Sequence, residues 1–292
     1  MRRWLVAACA AAGVLALAGC ELPAGVDGDL DNGWPALAAA APFVPPPRGC
    51  DEAVLDEVAR GDHQPVDCAG QHVAEAYHLG TLTGDAATGE RPELKSSAAR
   101  IAYRECSRRA TEFLGGPSRT STAKIAVVWP SEDNWAGGGR WFRCDLVETD
   151  IDSAEPIRRT GSLQGALAGD APARLGCFTP RVKGDDVGDL RPTPCNKRHT
   201  AEFAGIWTAG ASQNYSALGG ATRVIRGCQS AIARFTKVPD DANVKFRTGW
   251  IWFAPTRWEW DQGERSVQCF LYLHRGVKRS VRGAGTGALP IN

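Results

Sequence analysis

The chain opens on one unbroken apolar run and then shows two kinds of period, each of them twice. Residues 4–18 carry no charge and follow Met1-Arg2-Arg3. A bilayer-spanning helix takes roughly 20 apolar residues, so this shorter run reads as the basic and apolar regions of a secretory signal. Periodicity then disappears over residues 21–49, which are rich in Ala, Pro and Gly and include Pro45-Pro46-Pro47. Such a composition predicts a flexible spacer that stiffens at its prolines. Helical periodicity follows. Ala99, Ala102, Cys106, Ala110 and Phe113 are spaced 3, 4, 4, 3, and so are Ala221, Val224, Cys228, Ile232 and Phe235. Each set is one face of an α-helix with a cysteine at its middle. Ser96-Ser97 supplies a start signal for the first helix, and Gly115-Gly116-Pro117 a stop.

Tryptophan-bearing strands come next, at 125–129 and 250–253. A proline-containing turn and a second tryptophan follow each, pairing Trp129 with Trp135 and Trp252 with Trp258. A glycine and an arginine then lead into a strand carrying Cys144 or Cys269. Upstream, Cys68 and Cys195 each open the pattern C-x-x-x-H-x-A-E, which contains His72 and Glu75, then His199 and Glu202. Each half therefore reads strand, strand, helix, strand, strand. The expected architecture is α+β. It is a tandem duplication, residues 50–166 and 167–292, in which each copy packs one helix on an antiparallel or mixed sheet.

The cysteines follow the same repetition. Cys9 lies in the signal. Leu17-Ala18-Gly19-Cys20 has the form of a bacterial lipobox, in which the signal is cut before the cysteine and its thiol receives a diacylglycerol. Residues 1–19 are then a signal peptide, Cys20 the lipidation site and 20–49 a tether. The mature protein is expected on the extracytoplasmic face of the membrane, with the membrane as its partner through the anchor. Eight cysteines remain: Cys50, Cys68, Cys106 and Cys144, then Cys177, Cys195, Cys228 and Cys269. The first gap is 18 in both sets. Outside the cytoplasmic membrane disulfides persist, so two bridges per set are expected. Four cysteines allow three pairings and sequence does not choose among them; pairing within each set is favoured because each set is complete. A zinc site is the rival, but no C-x-x-C spacing occurs, and neither a metal nor a cofactor is expected.

Charge narrows the function. The formal net charge is +1, or −1 once Arg2 and Arg3 leave with the signal, which excludes the basic excess of a nucleic-acid binder. His-x-x-Glu invites a catalytic reading. Residues three apart on a strand face opposite ways, however, and recurrence in both halves fits a fold constraint, such as a hydrogen bond from His72 and His199 to a turn beside a disulfide. Most of the ten tryptophans are expected to fill two small cores, while Trp135 and Trp258 sit in turns and are the candidates for an exposed binding platform, with His72 and His199 as further candidate binding residues.

Taken together, Cys-x-x-x-His-x-x-Glu, a helical cysteine, Trp129-Pro130 with Trp135, Gly139-Arg140 before Cys144, and the closing Gly161-Ser162-Leu163 resemble the septum-formation domain family of actinobacterial envelope proteins. The resemblance implies a non-enzymatic lipoprotein near the division septum, with cell-wall or division proteins as partners. The alternatives are a peptidoglycan- or glycan-binding lipoprotein without a division role, and a hydrolase using His72/Glu75 or His199/Glu202.

Overall fold

The structure, a computed structural model, describes residues 41–291 apart from 62, 152, 169–172, 184–185 and 219–221. The signal, Cys20, the tether up to residue 40 and Ala221 of the second helical stripe lie outside the described residues. No described helix is long and apolar enough to cross a membrane.

Among the described residues, ten strands form two five-stranded sheets. The first contains β1 (Gly49–Asp51), β2 (Glu57–Val58), β3 (Ala74–Thr81), β4 (Ala123–Pro130) and β5 (Trp141–Glu148), in the order β1-β3-β5-β4-β2. The second contains β6 (Cys177–Lys183), β7 (Asp186–Thr193), β8 (His199–Thr208), β9 (Gly249–Phe253) and β10 (Ser266–Val277), in the order β7-β6-β8-β10-β9. Four strands of each share one antiparallel arrangement, β1-β3-β5-β4 and β6-β8-β10-β9. Register agrees as well: Cys50 lies opposite Glu75 and Cys177 opposite Glu202. Val127 lies opposite Cys144 and Trp252 opposite Cys269. Each sheet then gains one edge strand of its own. β2 runs parallel to β4, and β7 folds back on β6 as a hairpin arm.

One long helix covers each sheet, α1 (Ser97–Leu114) on the first and α2 (Thr222–Thr236) on the second. The caps of α1 are the ones its sequence announces. Ser96 Oγ accepts from the Ala99 amide, and Gly115 closes the helix in the left-handed region at φ 78°, where glycine carries no Cβ penalty. Its buried face is Ala98, Ala99, Ala102, Tyr103, Cys106, Ala110 and Leu114, whose alanines bring the helix close to the strands. Its outer face is an ion-pair ladder of Glu105, Arg108, Arg109 and Glu112. In α2, Gly227 faces the Trp207 indole, where a Cβ would sit 2.3 Å from the ring. That close approach explains a residue that otherwise costs a helix interior about 1 kcal/mol.

Disulfides join Cys50 to Cys68, Cys106 to Cys144, Cys177 to Cys195 and Cys228 to Cys269. The second and fourth bolt each helix to a central strand and are wholly buried. The first ties the edge strand β1 to a loop and the third ties β6 to the loop after β7, and they leave Cys68 and Cys195 partly exposed.

The sheet faces turned away from the helices differ. Asp51 and Asp145 follow Cys50 and Cys144 and clamp a buried Arg143, with Nη2–Oδ2 distances of 2.8 and 2.6 Å; His63 stands 3.2 Å from Asp51. Burial pushes the Asp145 carboxyl up to about 6 against the pull of Arg143, and burial lowers His63. The residues after Cys177 and Cys269 are instead Phe178 and Phe270, packed with Phe203 and Phe253 at ring distances of 5.3–5.6 Å.

Two expected boundaries shift. Residues 41–49 are anchored on the fold at two points: Pro45 is buried, and the Phe43 carbonyl accepts from Trp141 Nε1 at 2.7 Å and Asn134 Nδ2 at 2.8 Å. Leu167, placed in the second segment by sequence, packs in the first core with Leu163 and bonds to Leu114. The sheets also pack together. Gln268 donates to the Arg119 carbonyl, and Trp258 meets Tyr103 edge-on at 5.3 Å.

Graded reduction with alkylation and mass spectrometry is expected to open Cys50–Cys68 and Cys177–Cys195 before the two buried helix bridges, since exchange needs access to a sulfur; simultaneous opening of all four would contradict this. Asp145 binds its proton more tightly folded than unfolded, so its contribution is complete below about pH 4 and is lost as pH rises through about 6. The stability margin of the native protein over Asp145→Asn therefore shrinks by roughly 3 kcal/mol between pH 4 and pH 7, measurable as a series of unfolding curves. A margin independent of pH would count against it.

Candidate functional site

The recurring His and Glu are built into the two disulfide-bonded corners. His72 Nδ1 donates to the Gly70 carbonyl at 3.0 Å and His199 Nδ1 to the Lys197 carbonyl at 2.8 Å. A carbonyl only accepts, so the proton sits on Nδ1 in both. Glu75 accepts from the Leu163 amide at 2.6 Å and from the Ser162 hydroxyl. Glu202 accepts from the Val281 amide at 2.9 Å and the Ser280 hydroxyl at 2.6 Å. Each buried carboxylate thus latches the returning segment that closes its half, and each serine in turn accepts the amide two residues on.

The two corners differ in one respect. Sequence spacing predicts that His and Glu three apart face opposite ways, yet His199 Nε2 lies 3.1 Å from Glu202 Oε1. His199 is the first residue of β8, and the partner strand slips between Tyr272 and Val277 at this point, so regular alternation does not apply. A proton must lie between these two atoms, since both would otherwise only accept. His72 Nε2 has no hydrogen-bond partner among the described residues.

Donor atoms of Cys50, Cys68 and Glu75, and of Cys177, His199 and Glu202, lie within 4.8 Å of one another. The sulfurs are joined in disulfides, and only a thiolate ligates a metal, so the chemistry of these donors does not fit zinc. Catalysis fits no better. Both histidines are fully buried. Glu202 and Ser280 border a hollow of about 400 Å³ beside Cys195, but the Glu202 oxygens are already engaged by Ser280, Val281 and His199.

The tryptophans correct the expected platform. Trp135 is buried: its Nε1 donates to the Gly89 carbonyl at 2.9 Å, and Arg140 lies 4.1 Å from the ring. Its counterpart is Trp260, which has Arg265 4.0 Å from its ring and sits, like Trp135, four residues after a helix cap, Ser131 or Thr256. The pairing of Trp135 with Trp258 is therefore displaced by two positions. Trp258 is half-buried against Tyr103, where it joins the two halves instead of facing a ligand.

What the sequence did not single out is a groove of about 1220 Å³ on the first half, whose wall includes Val127, Trp129 and Trp135 and whose rim is acidic. Its carboxylates come from residues 56–57, 90–93 and 132. Each is exposed and reads alone as ordinary solvated surface; only the β2–β4 pairing and the loop before α1 bring them together.

Sheets stapled to helices by buried disulfides, with buried carboxylates closing each end, define a disulfide-bonded α+β protein whose paired His and Glu serve its fold. The chain belongs to the septum-formation family, whose model matches residues 49–269; this is not a known enzyme family. A search of curated proteins and of solved structures finds no significant match.

Replacing Glu75 or Glu202 by Ala leaves a buried amide, of Leu163 or Val281, without an acceptor. Each is expected to cost about 1–3 kcal/mol per stranded group, read by denaturant unfolding. An unchanged midpoint in both variants would remove the latch role.

Proposed function

We propose that the protein is a non-enzymatic, lipid-anchored envelope component that serves septum formation or cell-wall growth as a binding or scaffolding module. The single observation that carries this reading is the family match across residues 49–269, which spans both sheets. Burial of His72 and His199 weighs against the hydrolase alternative. Burial of Trp135 and the packing of Trp258 on Tyr103 take away the aromatic platform that the glycan-binding alternative requires. We also read the halves as two copies of one unit. Shared strand order, the matched Cys–Glu register, equivalent disulfides and the repeated Glu–Ser latch support this.

An export-compatible fluorescent fusion in growing cells of the native host tests the function, with Cys20→Ala as control. Enrichment at septa that is lost with Cys20 is the expected outcome. An even distribution around the envelope would overturn the septal part, and septal enrichment indifferent to Cys20 would overturn the anchor.

A further inference from the structure

We propose that the groove of the first half binds a cationic, partly apolar peptide segment of a partner protein. Shape, charge and lining agree. At about 1220 Å³ the groove exceeds the roughly 300–1,000 Å³ of small-molecule pockets and suits a stretch of chain.

Five carboxylates, Asp56, Glu57, Glu90, Glu93 and Glu132, face two cations, Arg91 and Lys95. Arg91 is engaged by Glu57 at 2.7 Å. The other four carboxylates have no ion-pair partner among the described residues, so an uncompensated negative potential fills the groove. These charges are also dispersed. Among the described residues, the only groups of three or more close metal-ligating atoms include disulfide cysteines. One small cation cannot neutralise carboxylates spread along a trough, whereas a chain bearing several Lys or Arg can.

The apolar contribution is specific too. Leu94 is 60% exposed in the groove wall and offers a seat for an aliphatic side chain. Trp129 and Trp135 are both buried, and Arg140 lies against the Trp135 ring, so these tryptophans offer no exposed platform to a sugar. The chain's own residues 21–40 are an unsuitable occupant, having Glu21, Asp27, Asp29 and Asp31 and no Lys or Arg. The proposal does not rest on the septal reading, because binding in solution is independent of where the protein sits in the cell.

The test is a fluorescence titration of the full chain, in non-ionic detergent, with a short synthetic peptide of arginines spaced by glycine and leucine. Its control peptide carries glutamine in place of every arginine. Saturable binding of the cationic peptide alone is expected, weakening as salt is raised from about 0.05 to about 0.5 M. Glu90→Gln/Glu93→Gln/Glu132→Gln should bind roughly tenfold more weakly with an unchanged Tm, since all three residues are exposed. Leu94→Ser should weaken binding without altering its salt dependence. No saturable binding, equal binding of the glutamine peptide, full affinity in the triple variant, or displacement of the peptide by soluble wall glycan would each overturn the proposal.

Discussion

Everything else in this structure hangs on a covalent bolt between a helix and a central strand, made once in each half. A half of this size buries only a modest core. The first helix presents four alanines to its sheet and the second mixes Ala231 and Ala233 with Gly227, Val224 and Ile232, and alanine and glycine contribute little buried area. Cys106–Cys144 and Cys228–Cys269, closing loops of 38 and 41 residues, supply what packing alone does not: bridges of this kind contribute about 2–4 kcal/mol, largely by restricting the unfolded chain. With the helix held at one point, the small residues on either side can pack closely without having to specify its position.

The Glu–Ser latches do for the chain ends what the bolts do for the helices. Glu75 and Glu202 sit on β3 and β8, opposite Cys50 and Cys177. A buried carboxylate is expensive unless its lone pairs are filled, and these are filled by an amide and a hydroxyl of a segment arriving from about 80 residues downstream. The cost of burial therefore enforces closure, since the carboxylate is satisfied only when the end of each half has come home. A histidine and a glutamate recurring together can thus be wholly architectural.

The architecture was readable where spacing is rigid. The equal 18-residue gaps, the cysteine-centred helical stripes and the C-x-x-x-H-x-A-E pattern all map onto matched strands and helices. Legibility failed where one or two residues of loop decide the outcome. Aligning Trp129 with Trp252 put Trp135 against Trp258, although the caps Ser131 and Thr256 fix Trp135 against Trp260. Position in a turn also misjudged exposure, because a one-turn helix folds Trp135 inward beneath Arg140. The groove left no sequence signal, since its carboxylates lie on three segments that only the sheet brings together.

The same comparison explains why the groove belongs to one half. In the second half the short helix Arg257–Asp261 is turned to the first: Trp258 packs on Tyr103, Gln262 donates to the Leu94 carbonyl, and Glu259 lies 3.8 Å from Arg119 and Lys124. Its counterpart Glu132–Ala136 has no such neighbour among the described residues, and Glu132, Asp133 and Ala136 stay exposed. Two structurally equivalent helices have thereby taken different tasks, one cohesion between the halves and the other the rim of an acidic groove. The opposite sheet faces follow the same division, with an Asp–Arg–Asp clamp in the first half and a phenylalanine cluster in the second. Each short helix still buries one tryptophan, Trp135 or Trp260, in the core of its own half, so the difference between the halves is confined to the outward-facing residues around that shared anchor.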